Sequence, residues 1–384
     1  MPVKALFVST VSVTHRSFLL PFARHFRAQG ALVEAAAAGL SECPNCVEAY
    51  DAVHDLSWTR SLRNVGALRA AMRQLRDLAT TRGYDLVHVH TPIAAFATRA
   101  ALRKLRRAGR VKVIYTAHGF HFHQGGGRVS NALFLALEKL AGRWTDALVV
   151  INDEDFQAAR RHRLVPPERL VFMPGIGVDT SLYDPATVSA EDVSAVRHDL
   201  ALAEADRLFL MVAEFNPGKR HRDALQAFAL LNRPRAHLAF AGTGPEEPVL
   251  KALAEDLRVA EGVHFLGYRS DIPALIRASR ATLLPSEREG LPRSVMESMC
   301  LGVPVVGTDI RGTRDLLADG CGLLVPLGDV TALSQAMARL LDSPDLGTEL
   351  ADNALQRVAE HDLSRIVALH EQLYARVLGR PTSP

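Results

Sequence analysis

The 384-residue chain lacks the features that mark several large classes of protein. No window of about 18 apolar residues occurs, so the sequence predicts no membrane-spanning helix. The start, MPVKALFVST, has the pattern of a first core strand and lacks the layout of a signal peptide. Neither a low-complexity segment nor a short-period repeat is present. With 48% hydrophobic and 23% charged residues, these absences are typical of a globular chain long enough for two domains.

Cysteine is also scarce, with four residues in the chain, which favours a reducing compartment such as the cytoplasm. Cys43 and Cys46 form a CPNC pair, but no second pair or Cys-x-His cluster completes a zinc site. We therefore interpret the pair as two thiols on a small surface turn. A metal or redox site is the less favoured alternative.

The net charge of +3 conceals an asymmetry between the two halves of the chain. Residues 1–180 carry 24 Lys and Arg against 14 Asp and Glu, whereas residues 181–384 carry 21 against 28. The basic residues cluster in the segment 103–110 and at Arg63, Arg69, Arg73 and Arg76. An anionic membrane surface or a polyanionic substrate would suit this half, and a solvated arginine-rich surface is an equally open interpretation. Nucleic acid is not expected as a partner, because interleaved aromatics and a reader motif are lacking.

Short apolar runs alternate with helical patterns and predict buried parallel strands. The first series comprises 3–9, 31–37, 85–90, 112–118, 147–151 and 170–175. After a turn-rich polar stretch, a second series comprises 208–214, 236–242, 263–267, 281–286, 304–308 and 322–326. This pattern indicates an α/β fold with two doubly wound, Rossmann-like parallel-sheet domains. Open parallel sheets bind ligands beyond the carboxyl ends of their strands, so we expect the site in a cleft that both domains face.

The segment SEREGLPRSVMES (286–298) carries acids on both sides of a predicted helix start. Pro292 suits the first helical position, and the free amides near Arg293 and Ser294 would bind phosphate. Glu297, one turn later, could accept hydrogen bonds from a diol, and Glu289 could contact a polar group on the other side. A nucleoside diphosphate sugar has these parts in the same order, because it carries a ribose diol, then phosphates, then a polar sugar.

A plainer interpretation of this segment remains open. Glu297 could pair with Arg293 at the i, i+4 spacing, and Glu289 could be a solvated loop acid. Glu287 is interpreted as a surface acid in either case.

Two loops of the second half offer further contacts to such a ligand. The loop EFNPGKRH, containing Asn216, follows a predicted strand and brings Lys219 and Arg220 near the next helix start, where cations would face a diphosphate. It is not a Walker loop, because the required glycine and hydroxyl residue are missing. Gly244, in AGTGPEE, would let a ligand approach the backbone closely, although a plain βα turn has the same sequence pattern.

A third loop, GYRSDIPAL, places Tyr268 and Arg269 after a strand, where a backbone and a ring could hold a base. Asp271 is expected to cap the helix that follows.

In the first half, TAHGFHFHQ carries His118, His121 and His123 after a strand. The alternation suggests metal ligands, but no acid or cysteine lies beside them, and one histidine making a hydrogen bond is the favoured interpretation. The acids of NDEDF could form a DxD metal motif. Because Asn152 and Asp153 open a predicted helix, capping is favoured there.

Taken together, the motifs resemble the retaining GT-B glycosyltransferases of the large group-1 family, over nearly the whole chain. The most specific match is the acid pair Glu289 and Glu297, separated by seven residues. TAHGFHF, PGIGVDTSLY, EFNPGKRH, GTGPEE, FLGYRSDIPAL and GVPVVGTDIRGTRDLL support it. The form EGLPRS, together with YDLVHVHTP and GIGVD, is most similar to the exopolysaccharide and capsule branch.

The resemblance implies an acceptor-binding domain at 1–178, a nucleotide-sugar-binding domain at 179–361, and a final helix at about 362–384 crossing back to the first domain. It implies catalytic roles for three residues, which are Glu289, His118 and Lys219. Donor-binding roles are implied for a larger set: Glu297, Arg220, Asn216, Gly244, Tyr268, Arg269, Gly290, Leu291, Arg293 and Ser294. No metal or other cofactor is implied.

Three positions depart from the family pattern. Glu214 stands where an arginine is frequent, so Arg220 would have to supply that phosphate contact. The first loop reads STVSVTHRSF instead of carrying a glycine pair, which makes His15 and Arg16 the candidate acceptor contacts. Pro292 occupies a position often held by glycine, so one amide donor is lost.

The implied reaction moves a hexose or N-acetylhexosamine, with retention, from a UDP-linked donor to a sugar or polyprenyl-diphosphate-linked sugar in polysaccharide biosynthesis. The expected location is cytoplasmic, with an anionic inner membrane face as a candidate docking surface. A non-hydrolysing nucleotide-sugar epimerase, a transferase with a soluble secondary-metabolite acceptor, and a non-catalytic binding partner are the alternatives.

Overall fold

The computed structural model describes residues 3–58, 65–122 and 125–381. Arg63 and His123, singled out above, lie outside the described residues. The chain divides into two compact units, one comprising residues 1–176 and 366–384 and the other residues 177–365. None of the helices in the described ranges combines the length and hydropathy needed to cross a membrane.

The first unit contains a seven-stranded parallel sheet in the order β3-β2-β1-β4-β5-β6-β7. Its central strands are buried on both faces, which is why they appear in the sequence as continuous apolar runs. The strands are β1 Lys4–Val11, β2 Leu32–Ala38, β3 Ala52–Asp55, β4 Leu86–His90, β5 Lys112–Ala117, β6 Ala147–Val150 and β7 Leu170–Phe172.

Helices cover this sheet and connect its strands. A helical segment follows β1, with α1 Ser12–Thr14 continuing through a π-helical turn, His15–Leu19, into α2 Leu20–Ala28. The remaining helices are α3 Pro44–Ala49, α4 Val65–Arg82, α5 Pro92–Arg107, α6 Arg128–Gly142 and α7 Asp153–His162. The last helix of the chain, α16 Leu363–Leu378, also packs here, with Tyr374 stacked on Phe26 at 4.8 Å between ring centroids.

The second unit contains a six-stranded parallel sheet in the order β10-β9-β8-β11-β12-β13. The strands are β8 Arg207–Val212, β9 Ala236–Ala241, β10 Val263–Gly267, β11 Ala281–Leu284, β12 Val305–Thr308 and β13 Leu323–Val325. The helices are α8 Ala190–Asp199, α9 His221–Leu231, α10 Glu247–Asp256, α11 Ile272–Arg277, α12 Arg293–Cys300, α13 Thr313–Leu317, α14 Val330–Asp342 and α15 Pro344–Val358. Two doubly wound parallel-sheet domains are therefore confirmed.

Each sheet has one point where the strand order reverses direction. In the first sheet this switch point lies between β1 and β4, and in the second it lies between β8 and β11. The loops that leave neighbouring strands at a switch point turn in opposite directions and leave a crevice at the carboxyl edge. Functional side chains are therefore expected on the loops after these four strands.

Three local predictions differ from the structure. Strand β3 was not predicted, because its four residues at the sheet edge are too few and too polar to show a pattern. Cys43 and Cys46 do not form an open surface turn of thiols: both are buried and joined by a disulfide at the start of α3. The helix after Pro292 begins at Arg293, so the proline occupies the N-cap position instead of the first helical one.

The capping interpretation of NDEDF is confirmed. The side-chain oxygen of Asn152 accepts a hydrogen bond of 2.9 Å from the backbone N–H of Asp155 at the start of α7. The buried Asp155 carboxylate in turn accepts from the backbone N–H of Phe120 at 3.1 Å. This acid therefore anchors the loop after β5.

Candidate active site

A lysine and a carboxylate meet at the switch point of the second sheet. Lys219, on the loop after β8, places its Nζ 2.6 Å from Oε1 of Glu289, on the loop after β11. The Glu289 side chain is only 10% exposed and that of Lys219 27% exposed. Glu289 is therefore not the solvated loop acid of the plainer interpretation.

Backbone hydrogen bonds hold the lysine loop in place. The Asn216 side chain accepts from the backbone N–H of Lys219 at 3.2 Å and caps a 3₁₀ turn, Pro217–Lys219. The backbone N–H of Glu287 donates to the Gly218 carbonyl at 2.8 Å and joins the two switch-point loops. Glu287 itself is exposed at the surface, as predicted. The backbone of this loop is thus held by hydrogen bonds, and the Lys219 side chain extends from it to Glu289.

Arg220, which was expected to face a diphosphate, points its Nε at the carboxylate of Asp223, 2.7 Å away. The arginine has a positive φ of 56° and precedes the first residue of α9. Glu214, at the position where an arginine is frequent, accepts from the Asn216 amide at 3.2 Å. The exposed carboxylate thus orders the loop that carries Lys219.

The second acid of the pair lies inside the domain. Glu297 is 7% exposed, lies 2.9 Å from Nε of Arg293 and accepts a hydrogen bond from Tyr183. The i, i+4 pair of the plainer interpretation is thus present. Burial raises the pKa of the Glu297 carboxyl, and Arg293 and Tyr183 offset part of that rise. A buried carboxylate with two partners is held rigidly for further hydrogen bonds at the start of α12.

Close backbone contacts join the loops around these acids. A Cβ added at Gly244, after β9, would lie 2.4 Å from the carbonyl oxygen of Phe215. Gly312, after β12, has φ 73°, and a Cβ there would lie 2.0 Å from the carbonyl oxygen of Gly290. Only glycine fits either position, so the loops after β8, β9, β11 and β12 form one packed scaffold.

Gly312 gives a test of this scaffold. The substitution Gly312→Ala is expected to displace the Gly290–Leu291 turn. It should lower affinity for UDP, the nucleotide of the donor that the family resemblance implies, about tenfold, because small misplacements of binding groups are costly. Binding can be measured by calorimetry. Gly302→Ala is the matched control: Gly302 also has a positive φ of 65°, but its added Cβ meets only a Leu355 methyl group at 3.7 Å. An equal loss of affinity in both variants would mean that the strain of placing alanine at a positive φ, and not the contact with Gly290, causes the loss.

The loop after β10 carries the two residues expected to hold a base. Tyr268 is 81% exposed. Arg269 binds Asp271 through Nε at 2.8 Å and Nη2 at 2.6 Å, and its Nη1 reaches Asp199 at 2.8 Å. The capping prediction for Asp271 is wrong, because its carboxylate makes no hydrogen bond to the first turn of α11. The acid holds Arg269 instead.

In the first unit, His118, for which the resemblance implies a catalytic role, follows β5. Nε2 of His118 lies 3.0 Å from Nδ1 of His90, the last residue of β4, and the two rings stack. Burial lowers the pKa of His118 to about 4, with a smaller effect from His370, so the ring is neutral near pH 7. His118 can therefore serve as a neutral hydrogen-bonding group.

The two candidate acceptor contacts lie after β1 and differ in exposure. His15 is fully buried, with Nδ1 2.8 Å from the hydroxyl of Tyr50, whereas Arg16 is exposed. His121 packs its ring edge-to-face against Phe134. Among the described residues, no three His, Cys, Asp or Glu side chains are grouped so as to hold a metal ion.

The buried histidines predict acid sensitivity. Burial lowers the pKa of His15 to about 3 and that of His370 to about 4, whereas an unfolded histidine titrates near 6.5. Between these values the unfolded chain binds more protons, so stability falls as pH falls below 6.5. We expect a loss of roughly 2 kcal/mol per buried histidine between about pH 7 and pH 5 in urea unfolding.

The variant His370→Gln should reduce this pH dependence. His198→Gln is the control, because that side chain is exposed on the folded protein. If His370→Gln and the control give the same dependence as the unmodified chain, burial of His370 does not cause the acid sensitivity.

Three site residues were missed in the sequence. Tyr183, His90 and Gly312 each lie within a motif quoted above, PGIGVDTSLY, YDLVHVHTP or GVPVVGTDIRGTRDLL. Their contacts join residues 22 to 114 positions apart, from Gly312 with Gly290 to Tyr183 with Glu297. Local spacing carries no signal for such pairs.

Comparison with known proteins assigns the two domains to the GT-B class of glycosyltransferases. The chain belongs to the family described as Glycosyl transferases group 1, whose profile matches residues 192–357, while the profile described as Glycosyltransferase Family 4 matches residues 17–182. It is thus an enzyme of the glycosyltransferase class.

Individual relatives support this assignment. EpsD of Bacillus subtilis (strain 168), provisionally named a glycosyltransferase, is 34% identical over 100% of this chain and 99% of its own length. UDP-Gal:alpha-D-GlcNAc-diphosphoundecaprenol alpha-1,3-galactosyltransferase of Escherichia coli is 27% identical over 73% of each chain. Among solved structures, Anabaena Alr3699/HepE in complex with UDP and glucose superposes with a TM-score of 0.81 over 97% of this chain and 100% of that chain, at 20% identity. At that identity the structural likeness shows the fold.

Proposed function

We propose that the protein transfers a hexose or N-acetylhexosamine, with retention of configuration, from a UDP-linked donor to a sugar acceptor in polysaccharide biosynthesis. The observation that carries the proposal is the ion pair between Lys219 and Glu289 at the β8–β11 switch point. A nucleoside diphosphate sugar needs a cation for its diphosphate and a carboxylate for its sugar hydroxyls. These two groups lie side by side where an open sheet binds ligands.

The donor would lie along the loops of the second unit. In this arrangement Glu297 accepts hydrogen bonds from the ribose hydroxyls, and the amides of Arg293 and Ser294 at the start of α12 hold the distal phosphate. Lys219 exchanges part of its contact with Glu289 for the diphosphate, which frees Glu289 to accept from the hydroxyls of the transferred sugar. Tyr268 would lie against the base.

The proposed reaction breaks the bond between the anomeric carbon and the donor phosphate oxygen. Positive charge develops on the sugar and negative charge on the leaving UDP, which Lys219 and the α12 amides stabilise. The acceptor oxygen forms the new bond on the same face, and its proton passes to the departing phosphate oxygen. Neutral His118 would orient a sugar hydroxyl. Cations and amides supply the charge stabilisation, so the proposal includes no metal or other cofactor.

For the acceptor, we propose a sugar linked to polyprenyl diphosphate. The named substrate of the Escherichia coli relative, a GlcNAc-diphosphoundecaprenol, supports this choice. The first unit would bind this acceptor, with Arg16 as the exposed contact, and the second unit would bind the donor. The proposed location is the cytoplasmic side of the membrane, with an anionic bilayer surface as partner.

A donor screen tests the proposal. The purified protein is incubated with UDP-, GDP- and ADP-linked sugars and with cell lipid extract, and products are detected by mass spectrometry. We expect a lipid-linked product from a UDP sugar, with the α configuration of the donor retained. Sugar interconverted without any acceptor would support the epimerase alternative. Glycosylation of a small soluble acceptor, but no lipid, would support a secondary-metabolite transferase.

A further inference from the structure

Helix α6 presents an apolar stripe to solvent. Three large side chains on it are strongly exposed: Val129 at 85%, Leu133 at 56% and Leu140 at 41%. They recur at spacings of four and seven residues, and the exposed Ala132 and Ala136 lie between them on the same side of the helix. An exposed apolar stripe of this length indicates a surface that contacts a partner or a membrane.

The opposite side of α6 is already anchored. Glu138 accepts a hydrogen bond of 2.9 Å from Nη2 of Arg99 on α5, and both side chains are buried. The Arg99 guanidinium also lies 4.3 Å from the ring centroid of Tyr115 on β5. The helix is therefore fixed against the sheet, and its apolar stripe faces away from the core.

The carboxyl end of α6 opens into a cationic groove of about 860 Å³. The groove lies between α6, α7 and the segment that leads into β7, and its lining in the described part of the chain contains no Asp or Glu. Its cationic lining consists of Lys139, Arg143, Arg160, Arg163 and Arg169. Among the described residues, none of these five is within ion-pair distance of a carboxylate.

The positive charges of the groove affect the pKa of a histidine in its lining. Burial lowers the pKa of His162, which lines the groove, and the positive charges of Lys139 and Arg161 lower it further. An uncompensated positive field therefore lies next to the apolar stripe, because Leu140 is flanked by Lys139 on α6 and by Arg143, the residue that follows the end of the helix.

We propose that this face, comprising the α6 stripe and the α6–α7 groove, docks on an anionic phospholipid bilayer. The apolar side chains would enter the headgroup region, and the cations would lie at the level of the lipid phosphates. A second copy of this chain fits less well, because a symmetric contact through the stripe would offer the groove only the same apolar and cationic surface, and the Glu138 carboxylate of α6 is buried against Arg99. The inference rests on the proposed function for its lipid-linked acceptor. Helix α6 follows β5, and His118 lies directly after the carboxyl end of that strand.

Vesicle flotation tests the proposal. The full chain is mixed with vesicles of phosphatidylcholine containing phosphatidylglycerol, and separately with vesicles of phosphatidylcholine alone. We expect binding to the anionic vesicles that weakens as salt is raised. The double variant Lys139→Gln with Arg143→Gln should reduce partitioning about 30-fold, because each cation near the surface contributes about fivefold. Val129→Ser with Leu133→Ser should reduce it at least about tenfold.

Two controls are matched to these variants. Arg69→Gln with Arg73→Gln removes the same charge from a separate groove between α4 and α5, and should leave partitioning within about twofold. Leu230→Ser removes an apolar side chain that is 59% exposed on α9 in the second unit, and should have no effect.

Three results would overturn the assignment. One is that the unmodified chain does not float with anionic vesicles, and another is equal loss in the Lys139/Arg143 and Arg69/Arg73 variants. The third is a change of oligomeric state in the stripe variant, measured by sedimentation equilibrium, which would mean that a second copy covers the stripe. UDP binding is measured on the unmodified chain and on every variant. If the unmodified chain binds UDP but does not float with anionic vesicles, the docking surface is wrong and the donor site is not.

Discussion

Replacing Lys219 by alanine is expected to lower the kcat of sugar transfer by about 1000-fold. The lysine is the cation closest to the Glu289 carboxylate, and no other cation within the described residues is paired with that acid. In the proposed reaction Lys219 stabilises charge that appears on the leaving UDP as the bond breaks. An interaction that strengthens in the transition state affects kcat more than KM. Initial rates with saturating UDP sugar measure the effect.

Lys251→Ala is the matched control for this prediction. Lys251 also pairs with a glutamate, Glu247, at 2.8 Å, but on an exposed helix surface, with 55% of the lysine side chain accessible. Exposed pairs of this kind contribute little to stability, so the control should retain full activity. If Lys219→Ala transfers sugar as fast as Lys251→Ala, Lys219 does not stabilise the leaving group and the proposed mechanism fails.

The architecture was largely predictable because buried parallel strands have a pattern that depends only on local sequence. Each of the twelve predicted apolar runs overlaps a strand of the two sheets. The proximity of Lys219 and Glu289 could also be predicted, since both follow strands whose carboxyl ends meet at one edge of a sheet. The identity of the two strands at the switch point, however, required the topology.

Contacts between distant segments could not be predicted. The ion pair of Arg269 with Asp199 joins the loop after β10 to the end of α8, 70 residues away. The close approach of Gly312 to the Gly290 carbonyl leaves no room for a Cβ at position 312. Burial of Cys43 and Cys46 follows from packing of α3, which composition does not describe. Sequence patterns report the environment of a segment, whereas these features depend on the exact placement of two segments together.

Glu297→Ala is expected to weaken UDP binding by about 100-fold or more. Hydrogen bonds to a charged carboxylate contribute about 1.5–3 kcal/mol in proteins, and the substitution would also leave Arg293 and Tyr183 without their shared acceptor. Glu297→Gln should cost less than alanine, because the amide oxygen still accepts a hydrogen bond while the charge is lost. Titration calorimetry with UDP measures both variants.

Glu287→Ala is the control for this second substitution, since Glu287 is an exposed acid on the same segment. It should bind UDP as the unmodified chain does. UDP affinity unchanged by Glu297→Ala would mean that the acid serves only the structure of α12, and the ribose contact would have to be sought elsewhere.

The protonation of Glu297 adds a pH test. Burial raises the pKa of this carboxyl above its ordinary value near 4.5, so the folded protein holds the proton at a higher pH than the unfolded chain. The charged form therefore costs folding free energy at neutral pH, and that cost is relieved as pH falls through the raised pKa. UDP binding has the opposite dependence, because the protonated acid accepts fewer hydrogen bonds from a diol. Affinity for UDP should fall as pH is lowered through the raised pKa of Glu297. Glu297→Gln should lose the part of the pH dependence that this carboxyl causes, whereas Glu287→Ala should retain it.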